Sequence, residues 1–103
     1  MPAEVVWSPA ARRDLLDIYV LIGLEQKRAA DRYLDRILAR TERLAQHPRL
    51  GVRRPDIRPE ARILVERPYL VLYRTDPNDD QGPVRRVEII RVVDGRRDLG
   101  ALF

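Results

Sequence analysis

The sequence predicts an α+β fold in two layers, and three observations predict it. Apolar residues recur at three- and four-residue spacing in two successive stretches. Short runs rich in β-branched and aromatic residues carry strand signals. Their order is strand, helix, helix, then three strands. Packing a helical hairpin against one face of a twisted antiparallel sheet buries both helical stripes and covers the sheet, so it is the economical arrangement.

Ala3 to Trp7 is a short apolar run and reads as the first strand. Ser8-Pro9 follows: serine is a good N-cap, and proline suits the first helical position, where its missing N–H costs nothing. The first helix is predicted from Pro9 to Ile22, with Ala11, Leu15, Ile18 and Ile22 on one face. Leu16, Tyr19 and Val20 widen the stripe, which predicts cover on more than one side. Gly23 ends the helix or loosens its last turn. A second helix is predicted from Glu25–Arg28 to Gln46, with an apolar stripe of Ala30, Tyr33, Leu34, Ile37, Leu38, Thr41, Leu44 and Ala45. Its other side carries Arg28, Arg32, Arg36 and Arg40 at four-residue spacing, flanked by Asp31 and Asp35. The plain reading of that ladder is a solvated face; the functional reading is a basic strip for a partner. His47-Pro48 stops the helix, because a residue before proline is pushed out of the α region. His47 therefore reads as a helix C-terminal residue before it reads as a base.

Arg49 to Pro59 has little regular signal and reads as a surface loop. Ala61 to Glu66 alternates Ile63 and Val65 against Arg62, Leu64 and Glu66, a strand. Tyr69 to Thr75 is another, joined to it by a tight turn near Arg67-Pro68. Asp76 to Pro83 is the strongest turn signal on the chain. The last strand, Val87 to Val93, is apolar on both alternating sets, which is expected of a strand inside a sheet. The last three strands thus form an antiparallel meander, and Asp94-Gly95 breaks the final one before Arg96-Arg97-Asp98.

At 103 residues, residues 1–103 are expected to form one domain, burying roughly 60–70% of the unfolded surface. The absence of cysteine excludes disulfides and Cys-ligated metals, and the single histidine, His47, excludes a His-cluster metal site. No cofactor motif is present: there is neither G-x-G-x-x-G nor G-x-x-x-x-G-K-[ST]. No apolar run approaches the ~20 residues of a membrane span, and residues 1–8 do not resemble a signal peptide, so a cytoplasmic location is expected. The net charge is +4, with nine basic and seven acidic groups in residues 1–50 and eleven and nine in 51–103. That even spread is a mixed surface, not a nucleic-acid-binding tail.

Individual residues offer little catalysis. Ser8, the only serine, occupies a helix cap. Asp14 and Asp17 could share a helix face, yet a charge effect near the helix start accounts for them. Tyr69 and Tyr73 point to one strand face and could stack on a base, though core packing is the simpler role. Trp7 reads as a core or interface anchor.

Four stretches together carry a resemblance: W-S-P-A-A-R-R-D-L-L-D-I-Y from Trp7, L-A-Q-H-P-R-L-G from Leu44, Y-L-V-L-Y from Tyr69, and V-E-I-I-R-V-V-D-G-R-R-D-L from Val87. The chain resembles ParE-like toxins of the RelE/ParE superfamily of type II toxin–antitoxin systems, over almost its whole length. The resemblance implies a RelE/ParE-like fold and a toxin held inactive by a cognate ParD-like antitoxin. It also implies one of two actions. ParE-type members block DNA gyrase; RelE-type members cut mRNA on the ribosome. The mRNA-cutting branch uses strand cations and a C-terminal proton donor. Here Leu70 follows Tyr69 where that branch carries an arginine, Phe103 has no proton to give, and only Arg96 matches a basic position. The expectation is therefore a non-catalytic gyrase inhibitor without a cofactor or metal, with a ribosome-dependent endoribonuclease or a degenerate antitoxin-binding module as alternatives. The expected target-binding residues are Arg91, Arg96, Arg97, Asp98 and Phe103. An amphipathic antitoxin segment is expected in the groove between helical hairpin and sheet, its acidic side chains met by Arg28, Arg32, Arg36, Arg40, Arg62 and Arg74. Asp94 stands where ParE-like sequences often have histidine, and a pairing with Arg96 or Arg97 is expected.

Overall fold

The computed structural model describes residues 1–97. Strand β1 (Glu4–Trp7) leads into helix α1 (Pro9–Gly23), helix α2 (Lys27–Glu42) and a 3-10 turn (Arg43–Ala45), followed by β2 (Val52–Arg53), β3 (Arg62–Glu66), β4 (Tyr69–Asp76) and β5 (Arg86–Asp94). The five strands form one sheet in the order β1-β5-β4-β3-β2. Strands β3, β4 and β5 are the expected antiparallel meander. The sheet is not wholly antiparallel: β1 lies parallel to β5, with Val5 opposite Val87 and Trp7 opposite Ile89. The helical hairpin is part of the crossover such a pairing requires. Among the described residues no helix is long and apolar enough to cross a membrane.

Helix α1 begins as the sequence dictates, with the Ser8 hydroxyl accepting the Ala11 N–H at 3.0 Å and Pro9 in the first position. Ala11, Ile37 and Leu44 from the helical layer pack on Leu64, Val71, Tyr73, Val87, Ile89 and Val92 of the sheet. The opposite sheet face keeps a smaller cluster, Ala61, Ile63 and Leu72, under Ile57 of the 54–60 segment.

Four local expectations are corrected. The segment from Arg49 contains a two-residue strand, β2, which pairs with Ile63 and Arg62 of β3; two residues are too few to show a period. In β3 the alternation does not separate a dry face from a wet one: Arg62, Ile63 and Leu64 are all buried and Val65 is 47% exposed. Helix α2 ends at Glu42, and its last turn tightens into the 3-10 turn rather than continuing to Gln46. The wide stripe on α1 is not covered on a second side, since Leu16 and Val20 stay 61% and 51% exposed.

Candidate functional site

Strand β5 carries its C-terminal end past the sheet and delivers Asp94 to Arg97 there. Its apolar pattern changes phase on the way. Tyr73 pairs with Ile89 but Leu72 pairs with Arg91, so Ile90 is an extra residue, a β-bulge. Ile89 faces the helices before the bulge and Val92, not Val93, joins the same core after it. Bulges kink a strand and re-aim its side chains. Here the backbone around the bulge is held by α1 and its cap: the Ser8 hydroxyl donates to the Ile90 carbonyl at 2.8 Å, and the Val92 N–H donates to Asp14 Oδ2 at 2.9 Å. Arg91 reaches the same carboxylate, Nε to Oδ2 at 2.6 Å and Nη2 to Oδ1 at 3.0 Å.

Beyond Val92 the tip closes on itself. Gly95 donates its N–H to the Pro68 carbonyl at 2.7 Å. A Cβ there would stand 3.0 Å from Leu70 Cγ and 3.1 Å from the Pro68 oxygen, so glycine allows this approach. Asp94 accepts from the backbone N–H and Nε of Arg96, both at 2.9 Å, and from Arg96 Nη2 at 2.5 Å. The Arg96 guanidinium, with the Arg96 N–H adding to it, holds the Asp94 carboxyl at about 2. Tyr69 lies beside this pair, its ring edge-to-face with Tyr33 at 5.5 Å, and burial pushes its hydroxyl pKa up. Tyr69, Asp94 and Arg96 line an open cleft of about 390 Å³ together with Asp17, Leu21 and Arg97.

The structure therefore gathers Arg91, Arg96 and Arg97 at one end of the molecule, but not in one role. Arg96 and Arg97 are exposed, whereas Arg91 is half-buried against Asp14. Asp98 and Phe103 lie outside the described residues. Sequence reasoning missed Asp14 here, having assigned it to the helix start; no local spacing could reveal a partner 77 positions away.

The six arginines expected to meet an antitoxin are dispersed. Arg28, Arg32 and Arg36 are exposed on the outer face of α2 and Arg40 is half-buried. Arg74 is exposed and pairs with Glu88 at 2.8 Å on the sheet face away from the helices. Arg62 is corrected: it is 6% exposed, donates from Nη1 to the Gly51 carbonyl at 3.0 Å, and meets Asp80 at 3.5 Å. Burial lowers its pKa, with the charge of Arg53 adding to the effect. It braces the segment around Gly51 from inside.

A second feature lies on the helical layer. Trp7, at the end of β1, forms an apolar groove of about 350 Å³ with Leu15, Leu16 and Tyr19 of α1 and Leu34 and Leu38 of α2. Arg12 stands at its margin. Tyr19 is fixed there by donating to Asp31 Oδ1 at 2.7 Å. The groove runs where the hairpin meets the sheet edge, so Leu16, read from the sequence as widening the core stripe, is a groove wall.

Three comparisons bear on this arrangement. The family model described as ParE toxin of type II toxin-antitoxin system, parDE, matches residues 5–99. Toxin ParE3 of Caulobacter vibrioides is 39% identical over 74 residues, which are 72% of this chain and 67% of that one. A solved chromosomal ParDE toxin–antitoxin system from P. aeruginosa has the same fold: the TM-score is 0.71 at 24% identity, over 89% of this chain and 95% of that one.

Proposed function

Because the chain belongs to the ParE toxin family of type II toxin–antitoxin systems, we propose that it arrests growth by docking on DNA gyrase through the tip of β5. In this reading it performs no chemistry of its own. A ParD-like antitoxin silences it by seating an amphipathic segment in the groove between Trp7, α1 and α2.

The observation that carries the target reading is the tip itself: two exposed arginines, Arg96 and Arg97, on a turn anchored to a sheet strand through Gly95 and Asp94. A fixed tip binds without first having to be ordered, which favours docking. The same geometry weighs against phosphodiester cleavage by these groups. Arg96 already has Asp94 as a charge partner, and an ionised carboxylate beside an incoming phosphate repels it. Tyr69, with its pKa raised by burial, is a poor proton acceptor near neutral pH. The antitoxin reading is supported by the groove, whose walls are almost wholly apolar, and by Arg12 at its margin, which suits an acidic residue flanking an apolar helix face.

The test separates the two surfaces. Substituting Arg96→Ala and Arg97→Ala together is expected to abolish growth arrest on induction and inhibition of supercoiling by purified gyrase. Binding to the antitoxin encoded beside this gene should stay within about twofold, since the tip lies apart from the groove. Arrest at wild-type strength would overturn the proposed target surface. Codon-positioned mRNA cuts on induction, with supercoiling untouched, would replace the reading by a ribosome-dependent endoribonuclease.

A further inference from the structure

We infer that Asp14 is a positioning residue for the target-binding tip: where β1 stops at Trp7, its carboxylate takes the place of a strand partner and clamps the bulged end of β5 onto α1. The inference rests on the reading of the tip as the target surface and adds what sets its geometry.

Strand β1 stops opposite Ile89, so among the described residues no strand runs along that edge of β5 from Ile90 to Asp94. A bulge at the same place disrupts the ladder to β4 and bends the strand, sharpening its local twist. Left so, the end of β5 would be free to fray, and the tip with it. The chain fills the gap with side chains from the start of α1. Ser8 takes over first, its N–H donating to the Ile89 carbonyl at 2.9 Å and its hydroxyl donating to the Ile90 carbonyl at 2.8 Å. Asp14 continues the series by accepting the Val92 N–H at 2.9 Å, as a neighbouring strand's carbonyl would. Both oxygens of the same carboxylate also receive the Arg91 guanidinium, at 2.6 and 3.0 Å. Two-point pairing of this kind fixes orientation as well as distance. Asp14 is 15% exposed, well shielded from water and salt. The clamped Val92 lies two residues before Asp94, whose backbone and side chain set the turn carrying Arg96 and Arg97. An asparagine in this place could accept from Val92 but would present an amide to Arg91, which has only donors to offer. The clamp needs a carboxylate.

A positioning role and a direct target contact by Arg91 make different forecasts for the pair Asp14→Asn and Arg91→Ala. If the two act as one clamp, each single variant loses potency in growth arrest and gyrase inhibition by about tenfold or more, and the double variant is no worse than the worse single. Amide hydrogen exchange at Val93 to Arg97 should quicken at least tenfold in Asp14→Asn while amides of α2 around Ile37 keep their protection. Antitoxin affinity should remain within about twofold. Full potency in Asp14→Asn would overturn the inference. So would potency falling together with core protection in α2, which would make Asp14 a fold residue only. Losses in the two singles that multiply in the double would also overturn it, because they would give Arg91 a contact of its own. Wild-type protein that arrests growth without touching gyrase would overturn the target proposed above but not the clamp. The arrest potency of the variants and exchange at the tip judge the clamp without reference to gyrase.

Discussion

Asp94 decides the charge of the tip. A histidine here, as the resemblance to ParE-like toxins implies, would titrate near ~6.5 when unperturbed; an aspartate stands here instead. Three donors of Arg96 converge on the Asp94 carboxylate and hold its pKa at about 2. The folded value lies below the ~3.9 of an unfolded aspartate, so the pair contributes stability fully above about pH 4, and that contribution is lost as pH falls towards 2. Across any growth pH the tip therefore carries a fixed negative charge beside Arg96, and no protonation step switches it. Carbon-detected NMR titration should place the Asp94 midpoint near 2, and higher in Arg96→Ala, where the backbone N–H and Arg97 still hold part of the shift. A midpoint unmoved by that substitution would mean that Arg96 is not the group responsible. The sequence already pointed to an Asp94–arginine pair. Only the structure selects Arg96, since the tight turn directs its backbone N–H and its guanidinium to one carboxylate.

Elements in this fold are joined by buried polar contacts that periodicity does not reveal. Tyr73 of β4 is fully buried; its hydroxyl accepts the Gly51 N–H at 2.7 Å and donates to the Pro48 carbonyl at 2.9 Å, tying the segment after α2 to the sheet. Gly51 is required for this closeness, as a Cβ would lie 2.6 Å from the Tyr73 ring and 2.8 Å from the Ile63 carbonyl. Tyr73→Phe leaves both backbone groups short of a partner, a cost of ~1–3 kcal/mol. At about 4–8 °C per kcal/mol for a domain of this size, thermal unfolding should drop by some 4 °C or more. An unchanged midpoint would mean that water replaces the hydroxyl at no cost. The elements themselves were legible where apolar spacing and caps coincide, as at Ser8-Pro9 and along Tyr69 to Thr75. Legibility failed where a contact between distant segments sets the outcome. Arg62 looked like a surface cation because its acceptor, the Gly51 carbonyl, lies across β2. The phase of β5 could not be read because a bulge leaves no mark in a run that is apolar on both sets. Asp14 carried a helix-start signal and gave no sign of Arg91.

On the scale of the whole molecule, the two candidate surfaces lie at different places: the apolar groove on the helical layer, the charged tip at the end of β5. They meet through α1, which supplies Leu15 and Leu16 to one and Asp14 to the other. A partner in the groove can therefore bind without covering Arg96 and Arg97 directly, and its grip should be separable from toxicity by substitution. Leu16 is the residue to use, because it is 61% exposed in the free chain and its replacement leaves no cavity in the core. A leucine buried against a partner is worth roughly 1.5–3 kcal/mol. Leu16→Glu loses that and sets a carboxylate against the acidic flanks expected of the antitoxin. At 1.4 kcal/mol per decade, antitoxin affinity should fall by about ten- to a hundredfold, measurable by calorimetry. The thermal midpoint of the free chain should move by no more than about 2 °C, since an exposed side chain contributes little to folding. Growth arrest by Leu16→Glu should match the wild type in cells without antitoxin and persist in cells that make it. Full rescue of those cells at ordinary antitoxin levels would place the antitoxin elsewhere, with the sheet face around Arg74 and Glu88 as the remaining surface to examine.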